Sequence, residues 1–334
     1  MVWSVTHARL HIRLRQHRLL PKNSRILIAV SGGQDSLTLA RLLIDIQPKW
    51  QWYLAIAHCD HRWRTDSGDN ANHVLQLAKT WQVPAWLEIA DLPPANEAAA
   101  RKWRYETFAK IARAQGYSHV VTGHTASDRA ETVLYNLTRG SGLDGISSLP
   151  WQRSLDTAQP TITLVRPLLH LRRQDTADFC QQQQLPIWQD SSNHDLHFRR
   201  NRIRRALLPY LRKHFNPNVE QALSQTAEVA AADIAYLNAQ TTALYDQVVT
   251  EVEAPNGHRS WEADLAPLAL APLALQRRVL RQILQKSLPE PPSFQQIEKL
   301  LALLDAPNGS QTDTYPSGLT AQVRKPNLWL GRLS

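Results

Sequence analysis

Ser31-Gly32-Gly33-Gln34-Asp35-Ser36 stands between the apolar run Arg25–Val30 and an amphipathic segment that extends to about Ile46. The apolar run is typical of a buried strand, and the segment after it of a helix. Two adjacent glycines let the backbone turn tightly, so several N–H groups can converge on an anion, and the helix adds its N-terminal dipole. The hexapeptide therefore predicts a phosphate-binding turn; the alternative is an ordinary strand–helix turn with a capping serine.

Asp35 suits a phosphate cradle only if a cation lies between its carboxylate and the phosphate oxygens. Mg²⁺ is the natural candidate, because proteins hold it with one or two carboxylates plus substrate phosphates. A helix-capping aspartate is the alternative interpretation. The chain contains no G-x-x-x-x-G-K-S/T sequence, so the turn is not of the type that favours γ-phosphate hydrolysis.

Short apolar runs alternate with helical patterns through the first half of the chain. Further strands are predicted at Trp52–His58, Ala85–Ile89 and His119–Thr122. Further helices are predicted at Asn70–Trp81, Asn96–Gln115 and Ser127–Leu137. This alternation predicts an α/β fold, a parallel sheet with helices on both faces.

The character of the chain changes after His214–Asn218, where HFNPN interrupts the pattern. One long helix is predicted at Val219–Val249, others at Leu268–Gln285 and Phe294–Leu304, and a few strands in the tail from Thr312 to Leu330. We predict one domain at 1–215 and a smaller, mainly helical C-terminal domain at 216–334.

The formal net charge of +9 is concentrated in two segments. Residues 1–34 hold six basic side chains and residues 196–219 hold seven, and neither segment contains an acid. Such segments predict a surface that docks a polyanion, and solvated helix faces are the alternative. The first segment also resembles an organellar transit peptide, but it has few serines and leads directly into a strand, so we interpret it as a helix of the mature domain.

The two cysteines, Cys59 and Cys180, form no C-x-x-C pair. That spacing argues against a disulfide framework, a structural zinc site or a cysteine-ligated cluster, and it fits a reducing cytoplasm. No apolar run approaches the ~18 residues of a membrane helix. We predict a cytoplasmic protein without a membrane partner.

The hexapeptide after a strand resembles the signature of the PP-loop, or N-type ATP pyrophosphatase, superfamily. Within it, four more parts of the chain resemble tRNA(Ile)-lysidine synthetases, in family order from about residue 25 to 210. These parts are Asp60–Arg64 with Ser67, Glu97–Tyr105, Thr122–Gly145, and Arg166–Leu169 together with Asp190–Pro209. Two departures stand out: Ser127 replaces an acid before Asp128, and Thr125 replaces a frequent histidine.

The resemblance implies an ATP-dependent ligase. In that reaction the wobble cytidine of tRNA(Ile) with a CAU anticodon is adenylated at its C2 oxygen, with Mg²⁺ present. The ε-amine of L-lysine then displaces AMP and gives lysidine. By the same resemblance, residues 1–215 form the ATP-binding catalytic domain and residues 216–334 help to bind tRNA. A homodimer is left open.

Candidate site residues follow from the motifs and the resemblance together. Catalysis is assigned to Asp35, His124, Asp128 and Glu131. Asp35 and Asp128 are the candidate metal ligands. ATP binding is assigned to Ser31, Gly32, Gly33, Gln34, Asp35, Ser36, His61 and Arg64. Binding of tRNA phosphates is assigned to Arg139, Arg200, Arg202 and Arg204.

Each assignment has a structural alternative. Asp128 and Glu131 lie three apart, so they share a helix face, where they hold a second Mg²⁺, receive the lysine ammonium, or are simple surface acids. His124 is a base, an ATP contact or a hydrogen-bonded structural histidine. Arg139 precedes a glycine turn that is also typical of a helix end. Trp63 and Trp103 stack on a base or belong to the core.

Three other functions compete with this interpretation. A PP-loop tRNA thiolase that uses clustered cysteines needs C-x-x-C pairs, which the chain lacks. A catalytically silent RNA-binding protein would not need the intact hexapeptide with Asp128 and Glu131. A synthetase that acts on a small acid would not need the two basic segments.

Overall fold

The computed structural model describes residues 3–156, 161–189, 199–253 and 259–332. The chain forms two compact units, Met1–Ala231 and Ala232–Ser334. The predicted domain boundary at 215 falls earlier in the chain than this division and stays a prediction. None of the described helices combines the length and the apolar character needed to cross a membrane.

The first unit is built on a six-stranded sheet with the order β3-β2-β1-β4-β6-β5. All neighbouring strands are parallel except β5, which is antiparallel to β6. The strands are β1 Arg25–Ala29, β2 Tyr53–Asp60, β3 Ala85–Ile89, β4 His119–Val121, β5 Gln152–Ser154 and β6 Thr163–Val165.

Helices cover both faces of this sheet. They are α1 Val5–Gln16, α2 Gln34–Trp50, α3 Ser67–Thr80, α4 Glu97–Ala114, α5 Ala126–Thr138, α6 Leu143–Ile146, α7 Arg173–Gln182, α8 Arg199–Arg202 and α9 Leu208–His214, with a π-helical turn at Ile203–Leu207. The helix α10, Val219–Val248, follows. The predicted α/β class is confirmed. Every strand and helix predicted for the first half is present: β3 has the predicted bounds, and the others differ from the prediction at one or both ends.

Alternation along the central strand β1 divides the core into two layers. Ile26 and Ile28 face one side, in a cluster with Leu10 of α1, residues of α2 and Phe179 of α7. Leu27 faces the other side and packs with residues of α4 such as Phe108. Burial of one such side chain contributes about 1.5–3 kcal/mol, so this two-sided burial is the main force that fixes the sheet.

The topology brings the predicted motifs to one edge of the sheet. From β1 the chain proceeds outward through β2 and β3, whereas β4 and β6 lie on the opposite side of β1. The carboxyl ends of β1 and β4 therefore flank a switch point in strand order, where open α/β sheets bind their ligands. Gly32 follows the first of these strands and His124 the second.

The second unit combines helices with a four-stranded antiparallel sheet of order β7-β8-β10-β9. Its strands are β7 Val249–Glu253, β8 Arg259–Asp264, β9 Leu319–Arg324 and β10 Asn327–Arg332, and its other helices are α11 Leu265–Leu270, α12 Leu273–Ser287 and α13 Phe294–Leu301. The helix predicted at Leu268–Gln285 is divided at Pro272, which caps α12 and lacks the N–H that an unbroken helix requires. The helices and the tail strands were predicted, and β7 and β8 were not.

Candidate active site

The turn after β1 is closed by its own serines. The backbone N–H of Ser31 donates to Oγ of Ser36 at 3.1 Å, and that hydroxyl donates to the carbonyl of Gly33 at 2.9 Å. Gly33 is the N-cap of α2 and no side chain caps the helix there. The first N–H groups of α2 therefore point into the turn without a capping acceptor, as an anion-binding turn requires.

Two glycines permit close approaches that no side chain would allow. Gly32 has a φ of +88°, and a Cβ there would lie 2.4 Å from Oδ1 of Asn70. Gly123, after β4, faces the turn itself: a Cβ there would lie 2.8 Å from the carbonyl carbon and oxygen of Asp35. The two strand ends thus meet backbone to backbone.

One guanidinium joins the three predicted catalytic carboxylates. Arg173, the first residue of α7, donates from Nε to Oδ2 of Asp35 at 3.2 Å. Its Nη2 donates to Oδ1 of Asp128 at 2.7 Å, and its Nη1 donates to Oε1 of Glu131 at 2.9 Å. Residues from α2, α5 and α7 therefore converge on one charge.

A second guanidinium completes this group. Arg204 donates from Nε to Oε1 of Glu131 at 2.7 Å and from Nη2 to Oε2 at 3.0 Å, and it lies 3.9 Å from Asp128. The side chain of Glu131 is only 4% exposed. We call Asp35, Asp128, Glu131, Arg173 and Arg204 the Arg173 cluster. It sets three carboxylates against two guanidinium groups, so one negative charge is not balanced within it.

The carboxylates of Asp35 and Asp128 differ in their affinity for a proton. Burial raises the pKa of Asp35 despite the opposing Arg173, and the negative charge of Asp128 adds to the rise. Burial also acts to raise the pKa of Asp128, but Arg173, His124 and the N–H of Thr125 outweigh it and lower the pKa to about 2. Asp128 is therefore the firmly ionised member of the pair.

His124 is held as a neutral side chain next to this cluster. Burial lowers its pKa to about 3, although the Asp128 charge opposes the shift. Its Nδ1 lies 2.8 Å from the hydroxyl of Thr122. A neutral imidazole can accept a proton or share a hydrogen bond, and it does not serve as a fixed positive charge at neutral pH.

The predicted ATP contacts after β2 lie at the next strand end. The ring of His61 lies 4.7 Å from that of Trp63, and Nε of Arg64 lies 3.2 Å from Oδ1 of Asp66. Asp66 is linked to the phosphate turn through Trp188, whose indole N–H donates to it at 3.2 Å and whose backbone N–H donates to Gly32 at 3.0 Å.

The two tryptophans considered for base stacking have different surroundings. Trp63 is 39% exposed and its indole N–H donates to the carbonyl of Pro94 at 2.7 Å. Trp103 is half-buried on α4. Stacking by either residue stays a prediction.

The predicted tRNA contacts occupy three different surroundings. Arg139 and Arg202 line a cavity of about 590 Å³ together with Tyr135 and Tyr210. Arg200 pairs with Glu97 at 3.3 Å, and Arg204 lies within the Arg173 cluster.

Of the other motif residues, Arg139 and Gly140 are described by the structure and residues 190–193 are not. The guanidinium of Arg139 also lies over the ring of Tyr135, and Gly140 with a φ of +75° follows it, as at an ordinary helix end. The stretch at 190–193 (DSSN) lies outside the described residues.

Sequence reasoning missed the residues that assemble the site. Arg173, Thr176 and Trp188 were not assigned a role, although Thr176 donates a hydrogen bond to Asp35. Arg173 carries no local signal, because a single arginine at the start of a helix is typical of many surfaces. Its position four residues after the Arg166–Leu169 segment was the one available clue.

Fold and site together define the class, and a family model described as PP-loop domain matches residues 6–211. A solved U34-tRNA thiolase, NcsA from Methanococcus maripaludis with its [4Fe-4S] cluster, superimposes with a TM-score of 0.57 at 14% identity, covering 68% of this chain and 78% of that one. This likeness is one of fold alone. A second model, described as TilS substrate binding domain, matches residues 264–317.

Relatives narrow the class to one family. A tRNA(Ile)-lysidine synthase from Nostoc sp. is 53% identical over 97% of this chain and 96% of its own length. One from Synechocystis sp. is 48% identical over 95% of this chain and 94% of its own length. The chain belongs to the tRNA(Ile)-lysidine synthase family, and the resemblance predicted from its motifs is confirmed.

Proposed function

We propose that this protein ligates L-lysine to the wobble cytidine of tRNA(Ile) with a CAU anticodon, and that it consumes ATP and releases AMP and pyrophosphate. The enzyme is a ligase that forms a carbon–nitrogen bond. The observation that carries the proposal is the contact between the phosphate turn and the Arg173 cluster, made through Asp35. Membership of the family supplies the class of reaction.

ATP binds with its phosphates against the N–H groups of Ser31–Ser36 at the start of α2. Asp35 and Asp128 fit a Mg²⁺ ion, since both carboxylates already contact one cation, the guanidinium of Arg173. Mg²⁺ supplies charge neutralisation at the departing pyrophosphate when it is bound. The cytidine C2 oxygen attacks the α-phosphorus, and the bond to the β-phosphate oxygen breaks.

The second step joins lysine to the activated base. The ε-nitrogen forms a bond to C2, the C2–O bond breaks, and AMP leaves with that oxygen. Free lysine has a side-chain pKa of about 10.4, so the site must first bind the ammonium and then remove a proton. The unbalanced negative charge of the Arg173 cluster suits the ammonium, and the neutral imidazole of His124 can accept a hydrogen bond from it.

The tRNA reaches this site through positive side chains near it. Arg139, Arg200 and Arg202 contact phosphates, so affinity falls as salt rises. For Arg204, which is held by Glu131, we propose that it orients this carboxylate. The reacting cytidine leaves its stack to reach the turn. A cytoplasmic location and a homodimer stay predictions.

The test is incubation with ATP, Mg²⁺, L-lysine and a tRNA(Ile) transcript, followed by mass analysis of the nucleosides. A lysine adduct on cytidine is expected, and a transcript with uridine at the wobble position gives none. Asp35→Asn abolishes the adduct, whereas Asp91→Asn, at an exposed loop residue, leaves it unchanged. Normal product formation by Asp35→Asn contradicts the proposed role of the carboxylate, and absence of any lysine adduct with the unmodified enzyme contradicts the proposed function.

The competing functions have their own discriminating results. A thiolase is not favoured, because the chain has two cysteines and no C-x-x-C pair. A synthetase for a small acid consumes ATP at the same rate without tRNA. A silent RNA-binding protein releases no pyrophosphate. Measurement of pyrophosphate release with and without tRNA separates these from the ligase.

A further inference from the structure

A second cavity of about 570 Å³ lies at the other end of helix α2. Its walls come from the last turns of α1, the loop that follows, and the final residues of α2, Lys49 and Trp50. The helix has 17 residues, so its two ends are about 25 Å apart at 1.5 Å per residue. The cavity is therefore separate from the phosphate turn, and its volume lies within the range of ligand sites.

Four exposed cations line this cavity, and one of them, Lys49, also lies over the ring of Trp3 at 5.3 Å. In the part of the chain that the structure describes, none of them has a carboxylate within ion-pair distance. The four residues are Arg15, Arg18, Lys22 and Lys49. His11 lies in the cavity wall, and its pKa is lowered first by burial and then by the positive charges of Lys49 and Arg15. The electrostatic field of these cations therefore reaches the wall. An anion is thus favoured here.

The interior of the cavity is apolar and aromatic. Leu14 and Leu19 contribute to it with Trp50, whose ring stacks on Trp52 at 5.2 Å between centroids and meets His11 edge-on at 5.5 Å. A rim of cations around an aromatic floor matches the chemistry of a nucleotide in a nucleic-acid chain, with phosphates outside and a base or ribose inside.

The backbone retains an arginine where a glycine is usual. Arg18 has a φ of +50° directly after the helix cap His17, and the N–H of Leu19 donates to the carbonyl of Leu14 at 2.9 Å. This is the left-handed position that ends many helices and that glycine occupies most readily. Gln82 and Gln184 occupy the same position at the ends of α3 and α7, so what sets Arg18 apart is the positive charge that it places at the cavity.

We propose that this cavity is a second RNA-binding site, which holds the phosphate backbone of the tRNA away from the reacting cytidine. The inference rests on the proposed function only for the identity of the RNA. A phosphate lies against Arg15, Arg18, Lys22 and Lys49, and the adjoining ribose or base packs on Trp50. The second basic segment of the chain, which contains Arg202, lies apart from this site.

Arg18→Gly is the sharpest test, because it removes the charge and improves the helix end. Binding of a fluorescent tRNA(Ile) transcript is measured by anisotropy over a series of KCl concentrations, without ATP or lysine. The variant is expected to bind more weakly, and the slope of log affinity against log salt becomes shallower by about 0.7–0.9 for the lost contact. Its melting temperature equals or exceeds that of the unmodified protein.

Lys110→Ala is the matched control, since Lys110 is an exposed cation on α4, which covers the opposite face of the sheet from α1. It leaves the affinity and the slope unchanged. The triple variant Arg15→Gln, Lys22→Gln, Lys49→Gln is expected to lower affinity further. Unchanged affinity and slope in folded Arg18→Gly overturn the proposal, as does an equal loss in Lys110→Ala or an unmodified protein that binds no tRNA.

The binding measurement is independent of catalysis. If the nucleoside analysis finds no lysidine but Arg18→Gly still binds the transcript more weakly than Lys110→Ala, the proposed reaction fails and this site stands. If lysidine forms and the two variants bind alike, the reaction stands and this site fails.

Discussion

The two ends of helix α2 place charge in opposite ways. At its N-terminal end, Asp35 belongs to a largely buried group in which each carboxylate contacts a guanidinium at 2.7 to 3.2 Å. At its C-terminal end, four exposed cations face a cavity and lack such partners among the described residues.

The comparison teaches how each end selects a ligand. In the Arg173 cluster a ligand has to replace a contact that the protein already makes. Only a ligand of suitable geometry and charge can therefore bind there. Buried ion pairs are costly to leave unpartnered, and this makes the group rigid and discriminating. The exposed cations attract any polyanion and are screened by salt, so they contribute attraction and little selectivity.

The largest expected effect comes from breaking the first group. Arg173→Met leaves three carboxylates with Arg204 alone, because the shared guanidinium is gone. Loss of one partner from a buried charge network lowers the free energy of unfolding by about 3–5 kcal/mol. Chemical denaturation measures this change, and lysidine formation is expected to be lost with it.

Arg172→Met provides the control, since its side chain is 41% exposed and pairs with Asp175 at 3.5 Å. An exposed pair contributes about 0–1 kcal/mol. Equal destabilisation by the two neighbouring substitutions contradicts the distinction between the Arg173 cluster and an exposed ion pair.

The next largest effect concerns the geometry of the phosphate turn. Gly123→Ala adds a Cβ that lies 2.8 Å from the Asp35 backbone and displaces the turn. Misplacement of a reacting group by about 1 Å costs about a hundredfold in rate. The quantity to measure is kcat/KM for pyrophosphate release. The control is Gly68→Ala, where a Cβ meets nothing within 4 Å, and it is expected to keep the kcat/KM of the unmodified enzyme. If Gly123→Ala also keeps that kcat/KM, the close approach of Gly123 to Asp35 has no catalytic role.

A graded effect concerns the pH dependence of stability, and it reports the protonation of His124 beside the N-terminal end of α2. The folded pKa of His124 is about 3, below its usual value near 6.5. The unfolded chain therefore binds the extra proton first, and stability is lost as pH falls from about 6.5 toward 3. His124→Gln flattens this loss by up to about 1.4 kcal/mol per pH unit. Denaturation curves across that window measure it, and parallel curves for both proteins contradict a neutral buried His124.

The smallest expected effect lies at the surface near the active site. Arg200→Ala removes an ion pair with Glu97 and one proposed phosphate contact. The free energy of unfolding changes by about 0.2–1 kcal/mol, and the salt slope of tRNA binding falls by about 0.7–0.9. Lys102→Ala, which removes the exposed pair with Glu106, changes stability alike and leaves tRNA binding intact. Identical tRNA binding by the two variants removes Arg200 from the interface.

The features that the sequence predicted correctly are those set by neighbouring residues. The apolar run of β1, the two glycines and the helix after them lie within adjacent residues, so periodicity and backbone freedom were sufficient. Asp35 was proposed as a site residue from its place in a glycine turn after a strand, and Asp128 and Glu131 from the family resemblance of Thr122–Gly145. The spacing of Asp128 and Glu131 on one helix also predicted correctly that they share a face, since both contact Arg173.

Long-range contacts explain what it could not. Arg173 lies 42 residues from Glu131 along the chain, and no periodicity relates the two. The approach of Gly123 to Asp35 joins two strand ends whose adjacency follows from strand order, which periodicity does not give. Strands β5 and β6 follow each other without a helix between them, so they stand outside the alternation of strands and helices that predicted β4, which is equally short. A left-handed arginine such as Arg18 leaves no signal, because arginine rarely marks such a position.

The central claim is that the phosphate turn and the Arg173 cluster together adenylate the base. The most direct measurement follows ATP labelled at the α-phosphate with the tRNA(Ile) transcript and L-lysine, in the unmodified enzyme and in Asp35→Asn. The account predicts one labelled AMP for each lysidine in the first and neither product in the second. Labelled ADP as the product, or AMP formed at the normal rate by Asp35→Asn, would contradict it.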